Sequence, residues 1–407
     1  MSGPPVKTAF VTSHPIQYQI PVFRELFADS GIDLTVLFCH LPNAAAQGDG
    51  FGVAFEWDLP LLEGYRYEVL ENVASEPSVT RFAGCDTPGV RDVLRRGGYD
   101  AVVVNGWNVK AMLQTRFACH RLGIPCVVRG EANDLRIRPW WVRRIQSLLV
   151  NRYAACCPIG TASRAFYQAR GVPDRRLFNA PYCVENDRFA GAAAASTVGE
   201  ARARFGLPED RMVALFSGKF ETKKRPLDFL KALAAVADAG AAAPHALLVG
   251  DGPLRGECEA FAHARALPAT FAGFVNQSEI PLAYRAADVL VLPSDAGETW
   301  GLVVNEAMAC GRPAIVSDRV GCGPDLIEAE GAHATGAIFP LGDVPRLAQL
   351  LSDLEQDRDR LRRMGAAARE RVARYSPATA AEGLAAAVQS VSDRTVKKRP
   401  TAPRRSG

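Results

Sequence analysis

The stretch ETWGLVVNE, Glu298 to Glu306, lies between an apolar run, VLVLPS (289–294), and a run of small residues, AMACG (307–311). It places Gly301 at a strand-to-helix passage, where open α/β sheets put their ligand chemistry. Two glutamates flank that glycine. On one helix, their eight-residue separation would hold the backbones roughly 12 Å apart, beyond the approximately 5–9.5 Å between the paired carboxyls of most glycoside hydrolases. The spacing fits two ends of one extended ligand better than a paired acid and base, because carboxylates accept hydrogen bonds from sugar or ribose hydroxyls. The plainer alternative is two solvated helix residues.

Outward from this stretch, short apolar runs alternate with helical patterns, which is the signature of βαβ units and mainly parallel sheets. The strands predicted before it are KTAFVT (7–12), IDLTVLF (32–38), YDAVVVNG (99–106), IPCVVRG (124–130), RMVALFSGK (211–219), HALLVGDGP (245–253) and ATFAGFV (269–275). After it come RPAIVSD (312–318) and GAIFP (336–340). Residues 191–202, GAAAASTVGEAR, are poor in bulky apolar side chains and read as a hinge. The expected division is an acceptor-side domain over 1–190, a second αβ domain over 191–375, a C-terminal helix over 376–392 that can pack back on the first domain, and a basic disordered tail over 393–407.

With 407 residues and 48% hydrophobic side chains the chain can bury two cores. Its net charge of +4 is a property of the tail, where Arg394, Lys397, Lys398, Arg399, Arg404 and Arg405 face only Asp393; without those 15 residues the body is about −1. Nucleic acid is therefore not an expected partner. Ten cysteines without CxxC pairs read as small buried residues of a reducing compartment. No run is apolar enough for a signal peptide or a membrane span, so a cytoplasmic protein is expected, at most peripheral at the inner face of the membrane.

Two further loops, and the helix start within the stretch itself, carry chemistry. SGKFETKKRP (217–226) sets Lys219 and Lys224 between a strand and a helix, where they can neutralise a diphosphate and stabilise it as a leaving group; a solvated lysine loop is the alternative. GDGP (250–253) is a tight turn that permits close backbone approach. A helix beginning near Gly301 offers unpaired N–H groups to an anion. No metal site is expected: the one DxD, Asp357 and Asp359, lies in a charged helical pattern and reads as solvated.

In order and spacing, SGKFETKKRP, VGDGP, FAGFV, ADVLVLPS and ETWGLVVNEAMACGRPAIVSD resemble the nucleotide-sugar-binding half of the family 4 retaining glycosyltransferases, the group 1 type. The resemblance is specific over about 179–375, including NAPYCVENDRF (179–189), and weaker before it. It implies an α/β protein of GT-B fold, two Rossmann-like domains with mainly parallel sheets facing across a cleft. It assigns Lys219 and Lys224 to the donor diphosphate and counts Gly218, Gly252 and Pro253 among the donor-binding residues. Glu298 would hold hydroxyls of the transferred sugar, with Thr299 beside it and the backbone N–H groups of Trp300, Gly301 and Leu302 close to sugar and phosphates. Glu306 would hold the ribose, and Phe274 and Val275 would line the base. Lys219, Lys224 and Glu298 are the implied catalytic residues. The co-substrate is a nucleotide diphosphate sugar, with no cofactor or metal.

Three departures touch this pattern. Lys219 stands where the family commonly has arginine, keeping charge but losing the bidentate fork. SHPIQYQ replaces a glycine-rich loop, with His14 and Gln17 as substitute polar contacts to phosphate or, on the acceptor side, to acceptor; a structural His14 is the alternative. Arg129, Gly130 and Glu131 stand where many members have a histidine; Arg129 and Glu131 are expected to face the cleft, the alternative being a structural ion pair.

RPWWVRRIQSLLVNRY (138–153) has Trp141, Ile145, Leu148 and Leu149 on one helical face beside Arg138, Arg143 and Arg144. It reads either as a surface helix packed on its sheet or as a patch suited to a headgroup boundary. With the basic tail, the latter suggests an anionic membrane surface as a partner and a glycan or lipid-linked acceptor in polysaccharide, lipopolysaccharide or glycolipid biosynthesis. The rival functions are a nucleotide-sugar epimerase or hydrolase on the same architecture, and a regulatory or scaffold protein that binds donor without turnover.

Overall fold

The structure, a computed structural model, describes residues 4–29, 31–43 and 55–396. Two six-stranded parallel sheets dominate it. The first contains β1 (Val6–Thr12), β2 (Ile32–Phe38), β3 (Tyr67–Val69), β4 (Ala101–Asn105), β5 (Cys126–Gly130) and β6 (Ala155–Pro158), in the order β3-β2-β1-β4-β5-β6. The second contains β7 (Val213–Ser217), β8 (His245–Val249), β9 (Ala269–Gly273), β10 (Val289–Leu292), β11 (Ala314–Ser317) and β12 (Gly336–Phe339), in the order β12-β11-β10-β7-β8-β9. Both are the doubly wound arrangement, with the strand order reversing between β1 and β4 in one sheet and between β7 and β10 in the other. The central strands are apolar throughout because helices cover both faces: every residue of β7, β10 and β11 is buried.

Two strands lie outside the expectations. β6 is only ACCP, its two cysteines both at 0% exposure, and β3 is three exposed residues on the sheet edge. Neither run is long enough for alternation to show. All ten cysteines are free and buried.

The expected hinge at 191–202 is mostly helical. Phe189 anchors the helix Asn186–Ala194 at 0% exposure, and the next helix, Val198–Phe205, starts with a capping box in which Thr197 and Glu200 satisfy each other's backbone N–H. Both helices pack on the second sheet's core. The alanines and glycines there allow close helix packing, which composition alone does not separate from a flexible joint. The chain leaves the first sheet earlier, near 178–184, and returns near 373–377. Asn186 ties the two crossings by donating to the carbonyls of Val372 (3.1 Å) and Tyr375 (3.2 Å).

The last helix, Pro377–Val396, lays Leu384, Val388 and Val391 against Phe10, Val22 and Phe23 of the first domain. It extends beyond the expected start of the tail at 393, and the basic residues from Lys397 onward lie outside the described residues. Asp357, expected as a solvated residue, caps a helix by accepting from the Arg360 N–H at 2.8 Å, and Asp359 pairs with Arg362. Among the described residues no helix is long and apolar enough to cross a membrane.

Candidate functional site

Parallel strands point their C-terminal ends the same way, so the loops after β1, β4, β7 and β10 all open at the two switch points, facing one another across the interdomain cleft. Two adjoining cavities result. One is lined by Gln17 and Tyr18 from the loop after β1, Lys219 and Lys224 from the loop after β7, and Phe274, Val275 and Glu306. The other is lined by Trp107 and Asn108 after β4, by Arg129 at the end of β5 with Glu131 and Asn133 just after it, and by Ala296 and Thr299 from the loop after β10.

The opening stretch divides between them. Gly301 precedes the helix Leu302–Ala309 in the left-handed region, φ 102°, which a residue with a Cβ rarely adopts. Glu298 is thus not on that helix, as the eight-residue estimate had supposed, but on the loop, and only Glu306 is helical. Glu298 pairs with Lys224, both side chains about one-seventh exposed. Thr299, next to it, donates to Glu131 at 2.8 Å. Trp300 is buried, its indole N–H donating to Asn305 at 2.8 Å, so it holds the loop from behind. The N–H groups of Gly301 and Leu302 head the helix, where intrahelical geometry leaves donors unpaired.

Gly218 and Gly250 line the first cavity, packed so closely that a Cβ on Gly250 would lie 2.0 Å from the Gly218 carbonyl oxygen. Gly252, expected among the donor-binding residues, lies against the Phe220 backbone, and Pro253 is exposed. This turn does bring backbones close, at Gly250 against Gly218 and at Gly252 against Phe220.

Glu306 is 2% exposed and accepts from two phenols, Tyr18 at 2.8 Å and Tyr284. Burial pushes its carboxyl above the ordinary carboxylate range, opposed by the two hydroxyl bonds and by Arg188. Tyr18 comes from the first domain, so this carboxylate is also a clasp between domains. The sign of its linkage follows: with the folded pKa raised, its contribution to stability is full below the unfolded value of about 4.3 and is lost as pH rises through the folded value. Glu306→Gln should therefore raise the melting temperature at a pH above the folded pKa, the gain shrinking on acidification; a series of melts against pH measures this.

The acceptor-side expectations are redistributed. Gln17, expected as a contact to phosphate or acceptor, faces the first cavity. His14 lines neither; its Nδ1 meets Ser13 Oγ at 2.9 Å, and burial pushes its pKa down to about 4, leaving it neutral. Arg129 borders the second cavity but is 2% exposed, and among the described residues it forms no ion pair. Its guanidinium donates to the carbonyls of Ala180 (3.4 Å) and Pro181 (3.0 Å) and lies over the Tyr182 ring, so it fixes the chain crossing. Glu131 does face the cleft, bridging Tyr182 and Thr299.

Tyr18, Tyr284 and Trp57 were not anticipated. Tyr18 sits one residue past Gln17 in a loop already singled out, and Trp57 reaches the first cavity beside Phe55, whose ring lies 4.2 Å from that of Phe274. Only the aromatic content of the 55–57 stretch hinted at this.

Residues 198–371 match the family model described as glycosyl transferases group 1, and residues 22–183 match the glycosyl transferase 4-like domain. The chain is 31% identical over 261 residues to 2-deoxystreptamine glucosyltransferase of Streptomyces kanamyceticus, covering 61% of this chain and 65% of that protein. It is 34% identical over 202 residues to D-inositol 3-phosphate glycosyltransferase 1 of Catenulispora acidiphila, covering 47% of each. These and the other curated relatives are spanned over between 24% and 65% of their own length. In architecture the chain is similar to a glycosyltransferase of Rickettsia africae (TM-score 0.71, 13% identity, 97% of this chain and 100% of that one). It is equally similar to Anabaena HepE in complex with UDP and glucose (TM-score 0.71, 19% identity, 95% of this chain and 100% of that one).

Proposed function

The chain belongs to the group 1 glycosyltransferases of GT-B fold, and on that footing we propose that it moves a sugar from a nucleotide diphosphate sugar to an acceptor hydroxyl with retention of anomeric configuration. The observation that carries this is the meeting of Lys219, Lys224 and Glu306 around one cavity, with Glu298 and Thr299 leading from it into a second, polar cavity.

The donor lies with its base toward Phe274 and Val275, its ribose on Glu306 and its diphosphate on the two lysines and the helix start at Gly301. Two lysines and the helix N-terminus meet the diphosphate charge, so no divalent ion is needed. Lys224 is neutralised by Glu298. An incoming diphosphate competes for Lys224 and releases Glu298 to accept from sugar hydroxyls. The ribose likewise takes the Glu306 oxygen that Tyr18 occupies.

In the transfer step the bond between the anomeric carbon and the diphosphate oxygen breaks as the acceptor oxygen bonds the same face. The acceptor proton passes to the departing diphosphate. The acceptor, a glycan or lipid-linked glycan of polysaccharide, lipopolysaccharide or glycolipid biosynthesis, occupies the second cavity, with the enzyme peripheral at the inner membrane face. No observation favours an epimerase, a hydrolase or a non-catalytic scaffold.

A thermal-shift screen of UDP-, GDP- and ADP-sugars tests the donor half. One base series should raise the melting temperature, by about 2.7 kcal/mol of added stability at a hundredfold excess over Kd, and Glu306→Ala should abolish the response. No response to any of the three series overturns the donor assignment. The anomeric configuration of the product, read by NMR, tests retention.

A further inference from the structure

The helix Trp140–Val150 was expected to pack its apolar face on the first sheet or to offer it to a boundary. It does not bury that face. Trp140 is 77% exposed, Trp141 54%, Ile145 58% and Leu148 63%, and Ile137 just before the helix is 92% exposed; only Val150 is buried. At about 100° per residue, positions 140, 141, 145 and 148 fall within an arc of about 140°. The opposite side faces inward, with Leu149 against the core and Gln146 held by Arg170 at 2.7 Å. The exposed apolar stripe is thus held rigidly outward.

The charge around it has one sign. From 135 to 152 the sequence has Arg136, Arg138, Arg143, Arg144 and Arg152 and no acidic residue, in a chain whose body outside the tail is about −1. Arg136, Arg138, Arg143 and Arg144 are all exposed. Two tryptophans and two large aliphatics ringed by arginines form a surface with two requirements, apolar depth for the rings and negative charge beside it. A bilayer with anionic headgroups meets both at once, since indole rings settle at the headgroup level while arginines bind the phosphates. A second copy of the chain would bring the same uncompensated arginines against one another, which disfavours self-association.

This surface is continuous with the second cavity, which Arg136, Arg138 and Gln146 help to line. We propose that the 136–148 stretch docks the protein on an anionic membrane surface, so that the second cavity opens at the headgroup level toward a membrane-held acceptor. The docking stands on exposure and charge alone; the acceptor half rests on the transferase reading above.

The test uses the full chain and vesicles without any donor, so loss of catalysis and loss of docking are separate results. The chain should float with phosphatidylglycerol–phosphatidylcholine vesicles, release at high salt, and bind phosphatidylcholine alone weakly. Brominated lipid should quench its tryptophan fluorescence. Trp140→Ser, Trp141→Ser and Ile145→Ser together should weaken vesicle binding by at least about tenfold while leaving the melting temperature unchanged, because these side chains are already in solvent. A second variant, with Lys397, Lys398, Arg399, Arg404 and Arg405 changed to Gln, should still bind and still be quenched. No flotation of the native chain, or binding unaffected by the triple change, overturns the proposal. So does a native dimer, found by light scattering, that the triple change dissociates, because the face would then be a contact between copies.

Discussion

Lys224→Ala should lower kcat/KM by about a thousandfold, close to 4 kcal/mol of transition-state stabilisation, which is the upper range for removing one preorganised charge or donor from a developing anion. The effect is expected to be large because Lys224 is only 13% exposed and sits on the loop after β7 at the switch point, where solvent screening is reduced. Most of the loss should appear in kcat, since charge on the diphosphate oxygen grows as the glycosidic bond breaks. Glu298 is coupled to it. Glu298→Ala alone removes the proposed contact to the sugar and also leaves Lys224 without its partner, so the double variant should lose much less than the two single losses combined. Rates are to be measured with the donor found by the thermal-shift screen, following release of nucleoside diphosphate. A Lys224→Ala enzyme within tenfold of the native rate would remove the lysine from the proposed chemistry.

Arg170→Ala should destabilise the first domain by about 3 kcal/mol and disable the second cavity without touching the first. Arg170 is 1% exposed, donates to both oxygens of Asp134 (2.7 and 2.8 Å) and to Gln146 (2.7 Å), and stacks on Phe166 at 3.5 Å. Breaking a buried pair costs about 3–5 kcal/mol; the lower end applies because Asp134 is 38% exposed and regains water. These bonds pin the 131–137 loop and the helix Trp140–Val150, both of which line the second cavity. Arg170→Lys should not rescue, because a single ammonium cannot grip two oxygens and an amide in one plane. Arg170 also holds the Asp134 carboxyl below its ordinary range. That contribution to stability is present above the unfolded pKa of about 3.9 and is lost as pH falls through the depressed folded value. The native chain's melting temperature should therefore fall more steeply in acid than that of Arg170→Ala. Donor-induced thermal shifts should survive in the variant, and equal loss of donor binding would show that the two cavities are not independent.

Where the sequence was legible, the reason was local. Buried parallel strands are nearly all apolar, so ADVLVLPS, RMVALFSGK and IDLTVLF stood out, and glycines and lysines just after them marked the C-terminal edges. Lys219, Lys224, Phe274 and Val275 line one cavity, as their positions at strand ends required. The short strands β3 and β6 and the helical hinge were not legible. A four-residue strand such as ACCP has no measurable period, and an alanine-rich stretch has the same composition whether it is packed or free.

The opening stretch shows the division most clearly. Sequence alone set two glutamates eight residues apart around a glycine at a strand-to-helix passage, and periodicity with strand-end position set which loops share an edge. Only the tertiary structure decided that Glu298 answers to Lys224 while Glu306 is clasped by Tyr18, a residue 288 positions away. It also decided that Arg129 holds a chain crossing and that the Trp140–Val150 helix turns its apolar face outward. The physical reason is that hydrophobic period and turn chemistry act between neighbours along the chain. Which partner a buried charge finds, and whether an apolar stripe is covered, depends on groups that the two crossings between domains bring together.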